Sequence, residues 1–139
     1  MIDEYLESKV TTATPVQLHL MVLDGALRHA RMAETAMAQG KMAEARTALA
    51  EARRFTAELL SGLDAKRLPE LVQNLKSLFV FVLRNLVKAD LQRDTTLVSD
   101  SVTILQMHRE TWLALADRIT QTSAAQAPSE SSERYSWSS

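Results

Sequence analysis

Three glycines and three prolines are spread through 139 residues, and this scarcity of turn formers limits the fold more than any other feature. A sandwich or barrel needs a turn roughly every 8 to 12 residues, which so few cannot supply. Long helices remain. Cysteine is absent, which removes disulfides, thiolate nucleophiles and cysteine-based metal sites together. A chain of this length buries an ordinary core without them. Basic residues number 16 and acidic residues 17, a net charge of -1, so no bulk field draws the chain to nucleic acid or a membrane. No stretch approaches the ~20 apolar residues of a membrane span. The opening Met1-Ile2-Asp3-Glu4-Tyr5 lacks the apolar core of a secretory signal, and a cytoplasmic protein is the expectation.

Helix punctuation follows along the chain. Thr14-Pro15-Val16-Gln17 combines a Thr N-cap, a Pro whose missing N–H costs nothing in a first turn, and a Gln able to close a capping box. Leu20, Leu23, Leu27 and Ala30, with Leu18, Val22, Ala26, Ala33 and Met37 alongside, keep helical spacing up to Gly40. A second helix carries Met42, Ala45, Leu49, Ala52, Thr56, Leu59 and Leu63 in a heptad seam closed near Gly62. Leu68-Pro69-Glu70 opens a third, and Asp94 or a neighbouring Thr caps a fourth with Val98, Val102, Leu105, His108, Trp112 and Ile119 on one face. Short connections make successive helices antiparallel neighbours. The fold class is therefore all-α: an antiparallel up-down four-helix bundle over 14–121, with an N-terminal arm over 1–13. The segment 122–139 is too polar to repay its ordering entropy and is expected to be a disordered tail.

The search for chemistry finds little. A di-iron bundle needs Glu-x-x-His on two helices, and that motif does not occur. His19, His29 and His108 have no carboxylate or second histidine at ligand spacing on the same turn, so neither a metal nor another cofactor is expected. A histidine-phosphotransfer bundle using His29 is one alternative, although Ala30-Arg31-Met32-Ala33 lacks the lysine and small residues that seat a phosphoryl group. His108, between Leu105 and Trp112, reads as a core histidine with a hydrogen-bond partner, and Trp112 as core. No Gly-rich phosphate loop or nucleophile elbow is present, and the chain is not expected to be an enzyme.

Surplus apolar surface points instead to a protein partner. In helical form the arm would lay Ile2, Tyr5, Leu6 and Val10 along a groove. In helix three, Leu78-Phe79-Val80-Phe81-Val82-Leu83 covers more than the ~100° of one core-facing stripe, so Val80 or Phe81 points away from the main seam. Phe81 shares its side with Asn74, Ser77, Arg84 and Lys88. A small helical adaptor that dimerises through Phe81 or the alanine seam is a further alternative. Tyr135 and Trp137 stand in the tail as a possible short recognition motif.

These residues carry a family pattern. Tyr5, then Val10-Thr11-Thr12-Ala13-Thr14-Pro15-Val16-Gln17-Leu18 and Leu20-Met21-Val22-Leu23-Asp24-Gly25-Ala26-Leu27, resemble the start of the flagellar export chaperones that hold flagellin before secretion. The likeness continues through Leu59 to Asp64, through Leu75 to Leu86 with Ala89, and into Leu105 to Trp112, about residues 2 to 118. It departs at Leu23, where the family usually has an aromatic, at Phe79 and Phe81, where it has tyrosines, and at Asp90, where it has Asn. The resemblance implies a monomer or weak dimer that binds the disordered C-terminal segment of flagellin in apolar grooves, prevents premature polymerisation and assists delivery to the export gate. It implies an arm that occupies part of the groove until the client arrives. Candidate groove residues are Ile2, Tyr5, Leu6, Val10, Leu78, Phe79, Val80, Phe81, Val82 and Asn85.

Overall fold

The computed structural model describes residues 14–63 and 69–125, with side chains over 14–63 and 72–118. The arm with Ile2, Tyr5, Leu6 and Val10, and the stretch 126–139 with Tyr135 and Trp137, lie outside the described residues. Four helices follow in order: α1 Pro15–Ala38, α2 Met42–Ser61, α3 Pro69–Gln92 and α4 Thr95–Ala125. α4 continues past Thr122 into the segment expected to be a tail; Ser123-Ala124-Ala125 holds no helix breaker.

The helix ends are set by local chemistry. The Thr14 hydroxyl accepts the Gln17 N–H at 3.2 Å, and the Gln17 side chain accepts the Thr14 N–H at 3.0 Å, satisfying two donors that a helix start otherwise leaves unpaired. At the end of α1, Gly40 takes φ +71°. This lets Lys41 N–H reach the Ala36 carbonyl at 2.8 Å and Gly40 N–H reach Met37 at 3.1 Å, the two bonds of a Schellman stop. The turn after α3 closes the same way on a less suitable residue. Arg93 takes φ +54°, and Asp94 N–H bonds the Ala89 carbonyl at 3.2 Å. Asp94 then caps α4 by accepting Thr96 N–H at 2.9 Å. Gly62 is the C-cap of α2 in a right-handed conformation.

Each helix packs mainly on two others: α1 on α2 and α4, with α3 closing the ring between them. Leu23, Leu27, Leu49, Phe79, Val82, Leu86, Val98 and Leu105 fill the centre. Ala26, Ala30 and Ala33 of α1 are buried, as are Ala45, Ala48 and Ala52 of α2; side chains this small allow close approach. Gly25 continues that stripe, because a Cβ there would lie 2.6 Å from the Phe55 ring.

Polar rungs fasten the outer seams. Along α1 and α4 the Trp112 indole N–H donates to the Val16 carbonyl at 3.1 Å, Arg109 meets Asp24 at 2.6 Å, Arg31 donates to Gln106 at 2.6 Å and Ser99 to Glu34 at 2.6 Å. Partners on α4 fall in number as those on α1 rise, so the two helices are antiparallel. Between α2 and α3, Asp90 is flanked by Arg46 at 3.3 Å and Arg53 at 3.4 Å. Its Oδ1 is buried with no hydrogen bond, so the Arg46 contact is a charge contact without hydrogen-bond alignment.

Candidate functional site

α3 is apolar on two sides at once. Its inner side sends Phe79, Val82 and Leu86 into the core with no exposed surface, and Asn85 is buried with them. Its outer side shows Phe81 at 53% exposure, Val87 at 41% and Leu91 at 79%. Leu78 and Val80 are half-buried, and Asn74, Ser77, Arg84 and Lys88 are exposed around Phe81. At ~100° per residue, Val80, Arg84, Val87 and Leu91 make one outer stripe, with Ser77, Phe81 and Lys88 beside it. The six-residue apolar run is thus divided: Phe79 and Val82 hold the helix to the bundle, and Phe81 faces outward. Among the described residues only Met32 and Met107 join those three as exposed large hydrophobics, so apolar exposure is concentrated on α3. Such a concentration is the usual mark of a partner surface.

A second constellation lies inside, where α1, α3 and α4 meet. His19 and His108 are both 7% exposed, with their Nε2 atoms 2.8 Å apart. One ring must donate its proton and the other accept, so the two rings cannot both be protonated. Trp112 lies against His19 with ring centres 4.0 Å apart and planes tilted by 39°, and the Phe79 ring stands edge-on to His108 at 5.1 Å. Burial, and then the nearby His108, push the His19 pKa down to about 3; burial alone takes His108 down to about 4. The core histidine expected at 108 thus has its partner on α1. His19 precedes Leu23 by four residues and belongs to the same face, a spacing visible in the sequence; the buried stripe begins at His19, with Leu18 and Leu20 only half-buried.

His29 is held elsewhere. Its ring stacks on Phe55 at 5.3 Å, and its Nδ1 bonds the Gly25 carbonyl at 2.9 Å. The described residues contain no group of three or more side chains placed to hold a metal. An open groove follows α1, lined by Leu27, Arg28, Arg31, Met32, Gln106 and Arg109, on the opposite side of the ring from α3.

Fold and site together define the class first: an antiparallel four-helix bundle with a tightly packed core and one helix that offers a second apolar face. Comparison with known proteins then places it. The family described as "Flagellar protein FliS" matches residues 1–119, and the chain belongs to that family. It is 29% identical over 108 residues to the flagellar secretion chaperone FliS of Bacillus subtilis (strain 168), covering 78% of this chain and 80% of that one. It is 29% identical over 114 residues to FliS of Salmonella typhimurium, covering 81% and 84%. It is 27% identical over 107 residues to the flagellar secretion chaperone FliSB of Pseudomonas aeruginosa, covering 77% and 85%. A chaperone role in flagellar export follows from membership. No helix among the described residues is long and apolar enough to cross a membrane.

Proposed function

We propose that this chain binds the C-terminal segment of flagellin on the outer face of α3, keeps it from polymerising in the cytoplasm, and helps deliver it to the flagellar export gate. The observation that carries this reading is the row of exposed Phe81, Val87 and Leu91 on α3, in a member of a flagellar protein family. A segment that polymerises through an apolar stripe is silenced by covering that stripe. A helix face that is open in the free chaperone does this without bond chemistry. Coupled folding and binding keeps the complex reversible, because ordering the client offsets part of the contact energy. Phe81 and Val80 are the contact residues on this reading, with Leu78 at the flank. Phe79, Val82 and Asn85 act from beneath by setting the helix. Ile2, Tyr5, Leu6 and Val10 of the arm compete for the same face in the free protein, which is a monomer or weak dimer.

Calorimetric titration with the flagellin C-terminal segment tests the proposal. Binding tighter than about 10 μM, or about -7 kcal/mol, is expected, and its absence overturns the reading.

A further inference from the structure

We infer that the segment bound on α3 is an amphipathic helix with an acidic flank, whose carboxylates meet Arg84 and Lys88. The inference rests on the reading of α3 as the client face and adds the chemistry that face selects.

The chain as a whole has a net charge of -1, yet the outer face of α3 is cationic. Lys76, Arg84 and Lys88 are exposed along it, and Arg93 is exposed in the turn that follows. The described carboxylate of this helix, Asp90, is turned away to α2 and taken up by Arg46 and Arg53. Arg54 has Glu51, and Arg109 has Asp24. Among the described residues, Lys76, Arg84 and Lys88 enter no ion pair. The cations of the apolar face are therefore available to an outside carboxylate.

Their spacing points to a helix. Phe81, Arg84, Lys88 and Leu91 step by three, four and three residues, a heptad-like row with an apolar residue at each end and two cations between. A partner helix presents side chains at the same steps and packs ridge into groove. An extended strand gains its affinity from unpaired backbone at a sheet edge, and a helix offers none. Carboxylates three or four residues apart, beside an apolar stripe, would meet Arg84 and Lys88 while the stripe covers Phe81, Val87 and Leu91. A cationic amphipathic helix would be rejected on the same face, because like charges would be brought together as water leaves.

The experiment titrates a flagellin C-terminal peptide against wild type, Arg84→Glu/Lys88→Glu, and Arg28→Glu/Lys41→Glu, which changes net charge equally on another face. All four positions are exposed, and far-UV circular dichroism confirms unchanged helicity. Expected are a binding constant that weakens with salt, a loss of about tenfold or more in the α3 variant and a much smaller one in the control. A peptide with its acidic residues replaced by lysine should bind the α3 variant better than wild type. Binding insensitive to salt and to Arg84→Glu/Lys88→Glu overturns the acidic-flank inference and leaves the proposed function standing. No binding to wild type at all overturns the proposed function itself. Self-association of the free chain that the α3 variant abolishes would assign this face to a second copy instead.

Discussion

His19 and His108 share one proton across 2.8 Å in a buried pocket, and the physics of that pair reaches the whole bundle. In the folded state their pKa values lie at about 3 and about 4, whereas an unfolded chain protonates histidine near pH 6.5. Stability is therefore complete above about pH 6.5 and falls as the unfolded state takes up protons that the folded state refuses, with a limiting slope of about 2.7 kcal/mol per pH unit for two groups. Urea midpoints at pH 7.5, 6 and 5 should fall steeply for wild type and less for His19→Gln/His108→Gln; a flat wild-type profile would reject this account. Arg93 is a second single-residue lever. At φ +54° its Cβ crowds the backbone as glycine would not, and Arg93→Gly should raise stability by about 0.5–1 kcal/mol in chemical denaturation.

At the scale of the element, α3 shows how far a pattern in one dimension can be read. The run from Leu78 to Leu83 announces that the helix is apolar on more than one side, and the four residues grouped with Phe81 are indeed exposed with it. The pattern left Val80 and Phe81 as equal candidates for the outward residue; in the structure Val80 is half-buried and Phe81 open. Two aspartate substitutions separate the roles. Phe81→Asp should keep a wild-type melting curve and lose client binding by about tenfold or more. Phe79→Asp, which buries a charge in the core, should cost at least about 4 kcal/mol and unfold the bundle. The Asn that the resemblance implies at position 90 is Asp90 here, and its surroundings suit the carboxylate. Aspartate, unlike asparagine, neutralises Arg46 and Arg53 at the α2–α3 seam, and its side chain is 17% exposed. Asp90→Asn should cost about 1 kcal/mol, less at high salt, as measured by denaturant unfolding at two ionic strengths.

For the molecule as a whole, a ring of four antiparallel helices leaves each with one outward face, and α3 differs in making that face apolar. The arm over residues 2–12 belongs to this scale, because its proposed role is to occupy surface that the bundle leaves open. If it competes with the client, deleting 2–12 should tighten flagellin binding by about three- to tenfold in calorimetry, since a self-occupied site lowers apparent affinity by the fraction that is open. Unchanged affinity would remove the arm from the mechanism.

Helix number, helix starts and most of the core were legible in the chain because they depend on local rules: a capping box needs residues three apart, and an amphipathic stripe repeats every three or four. Thr14, Gly40 and Asp94 act as their residue types require wherever such a turn occurs. Family membership was legible for the same reason, since Thr14 to Leu27 is one continuous segment. What the tertiary structure decided are the meetings across distance. His19 and His108 stand 89 positions apart, Arg46 and Arg53 converge on Asp90, and Gly25 makes room for Phe55. No periodicity within a helix encodes which rotation of that helix its neighbours will accept. That rotation is set by packing all four helices together, and it alone settles which apolar residues of α3 are core and which remain exposed.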